Sequence, residues 1–319
     1  MRANIAAIEI LKRLEMQKRL ATPEEKRALA QYVGWGALAP AFDKVKGDEV
    51  ANGRLEELAT TIAENQPSGY SNDYRRALRL ERAQEELKSL ENWDNAWGEA
   101  YRNLARLLTP EEWQSARNSV RNAHYTDRNV IGTMWAGLAK MGFKGGRVLE
   151  PGGGIGHFFG LMPEGLMRAS ELYGVELDSI SGRIFQALYP DAKIQVDGFQ
   201  TARLPDNAFD LAISNVPFDS LIPFDPVHKA AQLNLHNYFF AKALDKLRPN
   251  GLNAFITSSN TMEAQSAQRA YLAERADFVG AVRLPNNAFS ENAGTDVTTD
   301  IIFMRKRDGL TVPPWSESW

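Results

Sequence analysis

The sequence predicts an α/β protein with a doubly wound, mostly parallel sheet, a terminal antiparallel hairpin and a helical N-terminal region. From about residue 121 onward, short apolar runs alternate with helical patterns, as is typical of sheets covered by helices on both faces. The last two apolar runs lack a long helix between them, which indicates an antiparallel pair at the sheet edge. Before residue 121, apolar residues recur mainly at helical spacing.

Helix boundaries are marked in the N-terminal region. Residues 5–14 carry a helical apolar stripe, and residues 22–25 and 109–112 both read Thr-Pro-Glu-Glu. That pattern puts a cap residue before a proline at the first helical position. The breaker-rich Val33–Ala37 ends the second helix, and a later helix is predicted to begin near Asn72. Tryptophans concentrate before residue 136, and we interpret them as core of this region and of its contact with the next domain.

The α/β region divides into predicted strands and helices. The strands are 147–152, 172–177, 193–198, 209–215, 252–258, 278–284 and 299–306. The helices include 128–141, 181–189, 235–247 and 262–276. We therefore predict a helical N-terminal region at 1–120, an α/β domain at 121–308 and a tail at 309–319.

Composition excludes several classes of function. The chain has no cysteine, which removes disulfides, thiolate metal sites and mechanisms that need a cysteine nucleophile. Its four histidines lack metal-ligand spacing, so no metal is expected. No apolar run approaches the ~20 residues of a membrane span, and the charged N-terminus is not a signal peptide, so a cytoplasmic location without membrane partners is expected. The net charge of −3 argues against binding nucleic acid by bulk electrostatics and leaves room for a local basic groove.

A glycine-rich turn, Glu150–Gly156, follows the first predicted strand. Such a turn lets the backbone approach a ligand closely, although a glycine run alone fits a dinucleotide site or no site at all. Glu176 and Asp197 end the second and third predicted strands. One carboxylate there can accept hydrogen bonds from ribose hydroxyls and the other from an adenine amine. Acids at three consecutive strand ends therefore predict a cofactor site.

The fourth predicted strand ends in Ser214-Asn215-Val216-Pro217-Phe218. This motif resembles the NPPY/NPPF motif of amino-methyltransferases, and the resemblance implies an exocyclic aromatic amine as substrate. Such an amine is a poor nucleophile, because its lone pair is delocalised into the ring. Two acceptors on its hydrogens redirect that lone pair, and Asn215 Oδ1 and the Val216 carbonyl are the candidates. Pro217 stiffens the turn, and Phe218 can stack on an extruded base. Catalysis then rests on orientation and electrostatic fit, without a covalent enzyme intermediate.

These motifs resemble those of the class I S-adenosylmethionine-dependent methyltransferases. LEPGGGIGHF, GVELD and VDGF are similar to motifs I, II and III of that family, and SNVPF is similar to the NPPY/NPPF motif of its amino-methyltransferases. NAHYT (122–126) resembles the motif that precedes motif I in the gamma group. The chain departs from the family pattern at Val216 and at Asp127, where prolines are usual.

The resemblance implies a Rossmann-like methyltransferase sheet, S-adenosylmethionine as cofactor and N6-methylation of adenine in DNA, with the asparagine favouring adenine over N4-cytosine. It gives the catalytic roles to Asn215, Val216, Pro217 and Phe218. In the family, the motif I acid contacts the methionine amino group and the upstream threonine contacts its carboxylate. The implied cofactor contacts are Thr126, Glu150, Pro151, Gly152, Gly154, Glu176, Asp197 and Asn215.

A narrower resemblance covers the ends of the chain. NIAAIEILKRLE, ATPEEKRALAQYVGWGAL and the closing PPW are similar to large plasmid- and phage-encoded proteins in which such a methylase precedes a helicase domain. This implies a mobile element, a role in restriction-modification or anti-restriction, DNA as a partner, and a helicase domain or partner chain. Target recognition is then expected from the N-terminal region, the loop 219–234 or a partner. Four arginines at positions 75–82 are interpreted first as a solvated face and second as a phosphate contact.

Two alternatives stay open. A glutamine N5-methyltransferase acting on a translation factor also pairs a helical region with an asparagine–proline–aromatic motif, and a catalytically silent methylase fold can serve as a DNA-binding module. YVGWG and GTDVTTD favour DNA over the translation factor. A catalytically silent fold is disfavoured because the sequence keeps all four motif residues, Glu150, Asp197, Asn215 and Phe218.

Overall fold

The computed structural model of the protein describes residues 1–66, 74–120, 126–263, 267–285 and 298–311. The α-helices there are α1 (Arg2–Gln17), α2 (Pro23–Leu29), α3 (Lys44–Ala51), α4 (Arg54–Glu64), α5 (Tyr74–Trp93), α6 (Glu99–Leu107), α7 (Pro110–Ser119), α8 (Arg128–Lys140), α9 (His157–Gly160), α10 (Glu164–Arg168), α11 (Ser179–Leu188), α12 (Leu235–Lys246), α13 (Asn260–Glu263) and α14 (Ala267–Ala273). The strands are β1 (Gly146–Pro151), β2 (Ser170–Glu176), β3 (Lys193–Val196), β4 (Phe209–Asn215), β5 (Leu247–Ser258), β6 (Ala276–Arg283) and β7 (Thr299–Lys306). Short 3-10 helices lie at Gly36–Phe42 and Lys229–Ala231, and a π-helical segment lies at Asp94–Gly98.

The seven strands form one sheet in the order β3-β2-β1-β4-β5-β7-β6. β1 to β5 are parallel, and β7 is antiparallel to both β5 and β6. The predicted doubly wound, Rossmann-like sheet with a terminal antiparallel hairpin and a helical N-terminus is therefore confirmed. The strand order reverses between β1 and β4.

Helices cover both faces of the sheet, because consecutive residues of its central strands point to opposite faces and are buried on both. On one face, Ala212 of β4 packs in a cluster with Phe240 of α12. On the other face, Ile213 of β4 packs in a second cluster with Trp135 of α8. Phe218, just beyond β4, packs against both clusters. Its ring therefore lies where the two cores meet at the end of the strand.

The chain divides into two compact units: residues 2–37 together with 118–319, and residues 38–117. The segment 2–37 belongs with the sheet because α1 and α2 pack against α11. The sequence predicts one domain boundary, after residue 120. In the structure, the chain passes from one compact unit to the other after residue 37 and again after residue 117.

The unit of residues 38–117 has its own buried core. α4 packs against α5 through Leu58 and Leu90, and Trp113 makes edge-on contacts with Phe42 and Tyr101. Among the described residues of the whole chain, no helix combines the length and apolarity needed to cross a membrane.

Local signals in the sequence explain most element ends. Thr22 forms a capping box with Glu25 at the start of α2, as the Thr-Pro-Glu-Glu pattern predicts. The short helices α9 and α10 between β1 and β2 were not predicted, because they contain one turn or little more. β5 begins five residues earlier than predicted, since Leu247 pairs with Phe209 before the register shifts. The predicted helix 262–276 overlaps the end of α13 and includes α14, with undescribed residues between them, and its last residue begins β6. The predicted helix start near Asn72 lies outside the described residues.

Candidate functional site

The candidate site lies at the carboxyl ends of β1, β2 and β4. In open α/β sheets, ligands bind in the crevice where the strand order reverses, here between β1 and β4. Ser214 at the end of β4 donates its hydroxyl to the Pro151 carbonyl at 2.6 Å. Gly152 donates its amide to the Val175 carbonyl of β2 at 2.7 Å. These two bonds hold the carboxyl ends of β1, β2 and β4 together at one edge of the sheet.

The turn after β1 requires glycine for two different reasons. Gly152, Gly154 and Gly156 have φ values of +66°, +58° and +83°, a region that other residues rarely adopt. Crowding adds to this at Gly156, where an added Cβ would lie 2.1 Å from a ring atom of Phe185. At Gly153 the corresponding distance to Phe185 is 2.6 Å. The turn is therefore shaped both by its backbone and by the buried phenylalanine beneath it.

Glu150 is a buried acid in β1, with 1% of its surface exposed. It accepts hydrogen bonds from the amides of Phe158 and Phe159, but its Oε2 has no hydrogen-bond donor among the described residues. Burial raises the pKa of this carboxyl well above its usual range, and the nearby Glu176 charge adds to that shift. A donor or cation from a ligand would satisfy the remaining oxygen.

Glu176 ends β2 and holds the glycine turn from the side. Its Oε2 accepts from the Gly154 amide and its Oε1 from the Asp178 amide, each at 2.7 Å. Burial, with the neighbouring Asp178 charge, raises the pKa of Glu176 to about 7. Leu177, between these two acids, is 66% exposed. An acidic group and an apolar surface thus meet beside the turn.

Asp197 follows β3 directly and is exposed. Its amide donates to the Glu176 carbonyl at 2.9 Å. Its Oδ1 accepts from the Gly198 amide and from the Thr201 hydroxyl, each at 2.7 Å. The three predicted acids therefore lie on adjacent strands, with Glu150 buried and Asp197 open to solvent.

The motif after β4 meets the upstream motif at this edge. Asn215 Nδ2 donates to Thr126 Oγ1 at 3.1 Å across 89 residues of sequence. Val216 is buried, and its amide donates to the Ile256 carbonyl at 3.1 Å, while Pro217 is half-buried. An added Cβ on Gly152 would lie 3.8 Å from Pro217 Cδ. The structure thus brings Thr126, the glycine turn and the Asn215 motif together; the rest of NAHYT, residues 122–125, lies outside the described residues.

The loop 219–234 after this motif is closed at its base. The Leu235 amide donates to the Asp219 carbonyl at 3.3 Å. Inside the loop, buried Asp225 accepts from the Tyr238 hydroxyl and from Lys242 Nζ of α12, each at 2.7 Å. At the loop surface, apolar side chains are exposed. These are Leu221, Ile222, Phe224 and Val227.

Two contributors to the site escaped the sequence analysis. Leu177 carries a weak signal, since an apolar residue directly after a strand-end acid is positioned to cover a ligand. Trp35 carries no local signal: it donates its indole N–H to Asp178 Oδ2 at 3.1 Å across 143 residues. Within the described parts of the chain, no group of three or more histidine, aspartate or glutamate side chains could hold a metal ion.

The chain is similar to several known proteins in sequence or in fold, whereas no family model matches it. The Defense against restriction protein B of Escherichia phage P1 is 31% identical over 190 residues, which are 57% of this chain and 8% of that protein. The chain thus spans about 8% of the length of its curated relative. A type I restriction-modification methyltransferase subunit from Streptococcus thermophilus is 16% identical, with a TM-score of 0.49 over 95% of this chain and 78% of that one. A provisionally assigned class I S-adenosylmethionine-dependent methyltransferase from Listeria monocytogenes is 13% identical, with a TM-score of 0.46 over 98% of this chain and 91% of that one.

The glycine turn makes a prediction about stability. Gly156→Ala should lower the free energy of unfolding by about 2–4 kcal/mol, because it combines a left-handed backbone with overlap on Phe185. Gly165→Ala in α10 is the matched control, since nothing lies within 4 Å of an added Cβ there, and it should be neutral or slightly stabilising. Urea denaturation of both variants measures the difference. Equal stability of the two would contradict this account of the turn.

The raised pKa of Glu176 makes a prediction about pH. Folded Glu176 holds its proton up to about pH 7, above the ordinary range of the unfolded chain. Its contribution to stability is therefore complete at low pH and is lost as the pH rises toward 7. Glu176→Gln should reduce the fall in unfolding free energy between about pH 5 and about pH 8, and exposed Glu164→Gln should not. An unchanged slope in Glu176→Gln would show that this carboxyl titrates normally.

Proposed function

We propose that the chain is an S-adenosylmethionine-dependent methyltransferase that acts on the N6 amine of adenine in DNA. The observation that carries the proposal is the contact between Asn215 and Thr126 at 3.1 Å, beside the glycine turn at the strand-order reversal. The motifs that the sequence analysis assigns to the cofactor and to the target base therefore line the same crevice. All of them belong to the proposed methyltransferase domain, residues 121–308.

The side chains at this edge fit the proposed cofactor. Buried Glu150 Oε2 lacks a donor among the described residues, and an α-ammonium group would supply one. Glu176 on β2 and Asp197 after β3 are the acceptors proposed for the ribose hydroxyls and the adenine amine, with exposed Leu177 against the base. Thr126, Pro151, Gly152 and Gly154 complete the proposed contacts. When bound, S-adenosylmethionine supplies an electrophilic methyl group on a sulfonium.

The chain's own contribution to catalysis is orientation of the amine. Because Asn215 Nδ2 donates to Thr126, the opposite end of the amide is its acceptor, Oδ1. We propose that Oδ1 and the Val216 carbonyl accept the two amine hydrogens and direct the lone pair at the methyl group. Pro217 fixes the turn. Half-buried Phe218, between the two cores, stacks on the extruded base.

The biological setting of the proposal is supported by one phage relative and by the sequence resemblance at the ends of the chain. A phage protein named for defence against restriction is 31% identical over 190 residues. We propose an anti-restriction or restriction-modification role on a mobile element, with DNA as the partner and a helicase domain or helicase chain as a second partner. We also keep the cytoplasmic location as part of this proposal.

The first test identifies the product. The chain is incubated with labelled S-adenosylmethionine and unmethylated DNA, and the digested nucleosides are analysed by mass spectrometry, with calorimetry of cofactor binding in parallel. We expect N6-methyladenine. N4-methylcytosine would keep the mechanism and change the base, and a methylated release-factor peptide beside unmodified DNA would favour glutamine methylation. Cofactor binding without any product would indicate a silent module, and binding of NAD instead would overturn the cofactor assignment.

The second test addresses the catalytic motif. Asn215→Ala should lower the turnover rate by about 10²–10³, the effect of removing one positioned group from a preorganised site, and leave cofactor affinity nearly unchanged. Phe218→Ala should weaken capture of the base, whose stacking contributes ~1–3 kcal/mol. Val216→Pro should stay active because it keeps the carbonyl.

Exposed Asn52→Ala, in the unit of residues 38–117, is the matched control for Asn215→Ala and should turn over at the parent rate. Asn215→Ala at the parent rate would remove this motif from the catalytic machinery. Complete inactivation by Val216→Pro would show that the turn after β4 is shaped differently from the family motif.

A further inference from the structure

The segment between α2 and the first 3-10 helix is fixed by a buried asparagine of α1. Asn4 is fully buried and makes two hydrogen bonds to this segment. Its Nδ2 donates to the Gly34 carbonyl at 2.6 Å, and its Oδ1 accepts from the Val33 amide at 2.9 Å. A buried amide with both ends satisfied holds the backbone on either side of it tightly. The position of the next residue, Trp35, is therefore set by α1.

Trp35 connects this segment to the sheet. Its ring has 0% exposure and packs edge-on against Tyr32 at a centroid distance of 5.6 Å. Its indole N–H donates to Asp178 Oδ2 at 3.1 Å. An ion pair of Glu15 with Arg183, at 2.9 Å, ties α1 to α11 at a second point. The segment 2–37 is thus joined to the region that follows β2.

Asp178 connects Trp35 to Glu176 and, through Glu176, to the glycine turn of the candidate site. It caps α11, and its Oδ2 also accepts from the amide and hydroxyl of Ser181 at 2.9 and 2.6 Å. Its own amide donates to Glu176 Oε1 at 2.7 Å. The other oxygen of Glu176 accepts from the Gly154 amide. Hydrogen bonds, joined by short covalent steps at residues 34–35 and within Asp178, therefore connect the N-terminal helix to the glycine turn.

We infer that Trp35 is a positioning residue for Glu176, so that the segment 2–37 is a working part of the cofactor site. The inference rests on the proposed function, since Glu176 is assigned there to the cofactor ribose. Asp178 is the intermediate: with Oδ2 held by Trp35 and Ser181, the peptide that donates to Glu176 is fixed. The side chain of Glu176 then presents one orientation to a ligand.

The test is a double-mutant cycle on cofactor affinity. Trp35→Phe keeps an aromatic ring and removes the indole N–H. It should weaken binding of S-adenosylmethionine by about 3- to 10-fold, the range of residues that act through such networks, with kcat unchanged at saturating cofactor. In a Glu176→Gln background the same change should have little further effect, because the residue through which it acts is already altered. Binding is measured at about pH 8.5, where Glu176 is ionised in each protein that retains it.

Trp93→Phe is the matched control, because it removes an equivalent indole bond, to the Pro40 carbonyl at 3.0 Å, in the other compact unit. It should leave affinity unchanged. Thermal unfolding confirms that each variant is folded. Should Trp35→Phe not fold, Asp178→Asn takes its place, with the same weakening and the same loss of effect in Glu176→Gln.

The inference would be overturned if the folded Trp35→Phe variant bound S-adenosylmethionine as tightly as the parent. It would also be overturned if Trp35→Phe weakened binding by the same factor with and without Glu176→Gln. A parent protein that binds no S-adenosylmethionine would overturn the proposed function and this inference with it. A parent that binds, with a variant that binds equally well, would overturn the inference alone.

Discussion

Between β1 and β4 the chain changes direction across the sheet, and the segments that follow the two strands pack on opposite faces. α9 contributes to one buried cluster and α12 to the other. The carboxyl ends of β1 and β4 are consequently left open between them, while the Ser214 hydroxyl holds them together at 2.6 Å. The joined ends of β1 and β4 form the bottom of the crevice. The residues that line the crevice come from separate parts of the chain.

The electrostatics of this crevice are set by two neighbouring acidic side chains, Glu150 and Glu176. Glu150 is buried and Glu176 is half-buried on neighbouring strands, and the pKa of each is raised, mainly by burial. Such a pair costs free energy when both groups are ionised, and a bound cation offsets that cost. The arrangement suits a positively charged ligand better than a pyrophosphate, which would add like charge to the same edge.

Local patterns were sufficient to predict the sheet. All seven strands appear within a few residues of their predicted positions except at the start of β5, where a register shift before Leu252 extends the pairing back to Leu247. Short apolar runs and strand-end acids are short-range features, and the sequence shows them directly. The candidate site residues at Thr126, Glu150, Glu176 and Asn215 could be proposed for the same reason, since each lies in a short motif.

Contacts between distant segments were beyond sequence reasoning. Trp35 was interpreted as core, and its ring is buried, but nothing near it in the chain indicates that its N–H reaches a residue 143 positions away. Likewise, the burial of Glu150, whose Oε2 has no donor within the part of the chain that the structure describes, depends on how α9 folds back over β1. One or two turns of helix with no apolar period leave little trace in a sequence.

The closed base of the loop 219–234 has a consequence for how this protein can diverge. Because the Asp219–Leu235 hydrogen bond and the buried Asp225 fix the two sides of the loop, the mostly exposed stretch 220–224 can change in length or identity without displacing α12. Loop-closure entropy grows slowly with length, and exposed tips accept insertions readily. Evolution can therefore vary the surface beside the crevice while the chemistry beneath it stays the same.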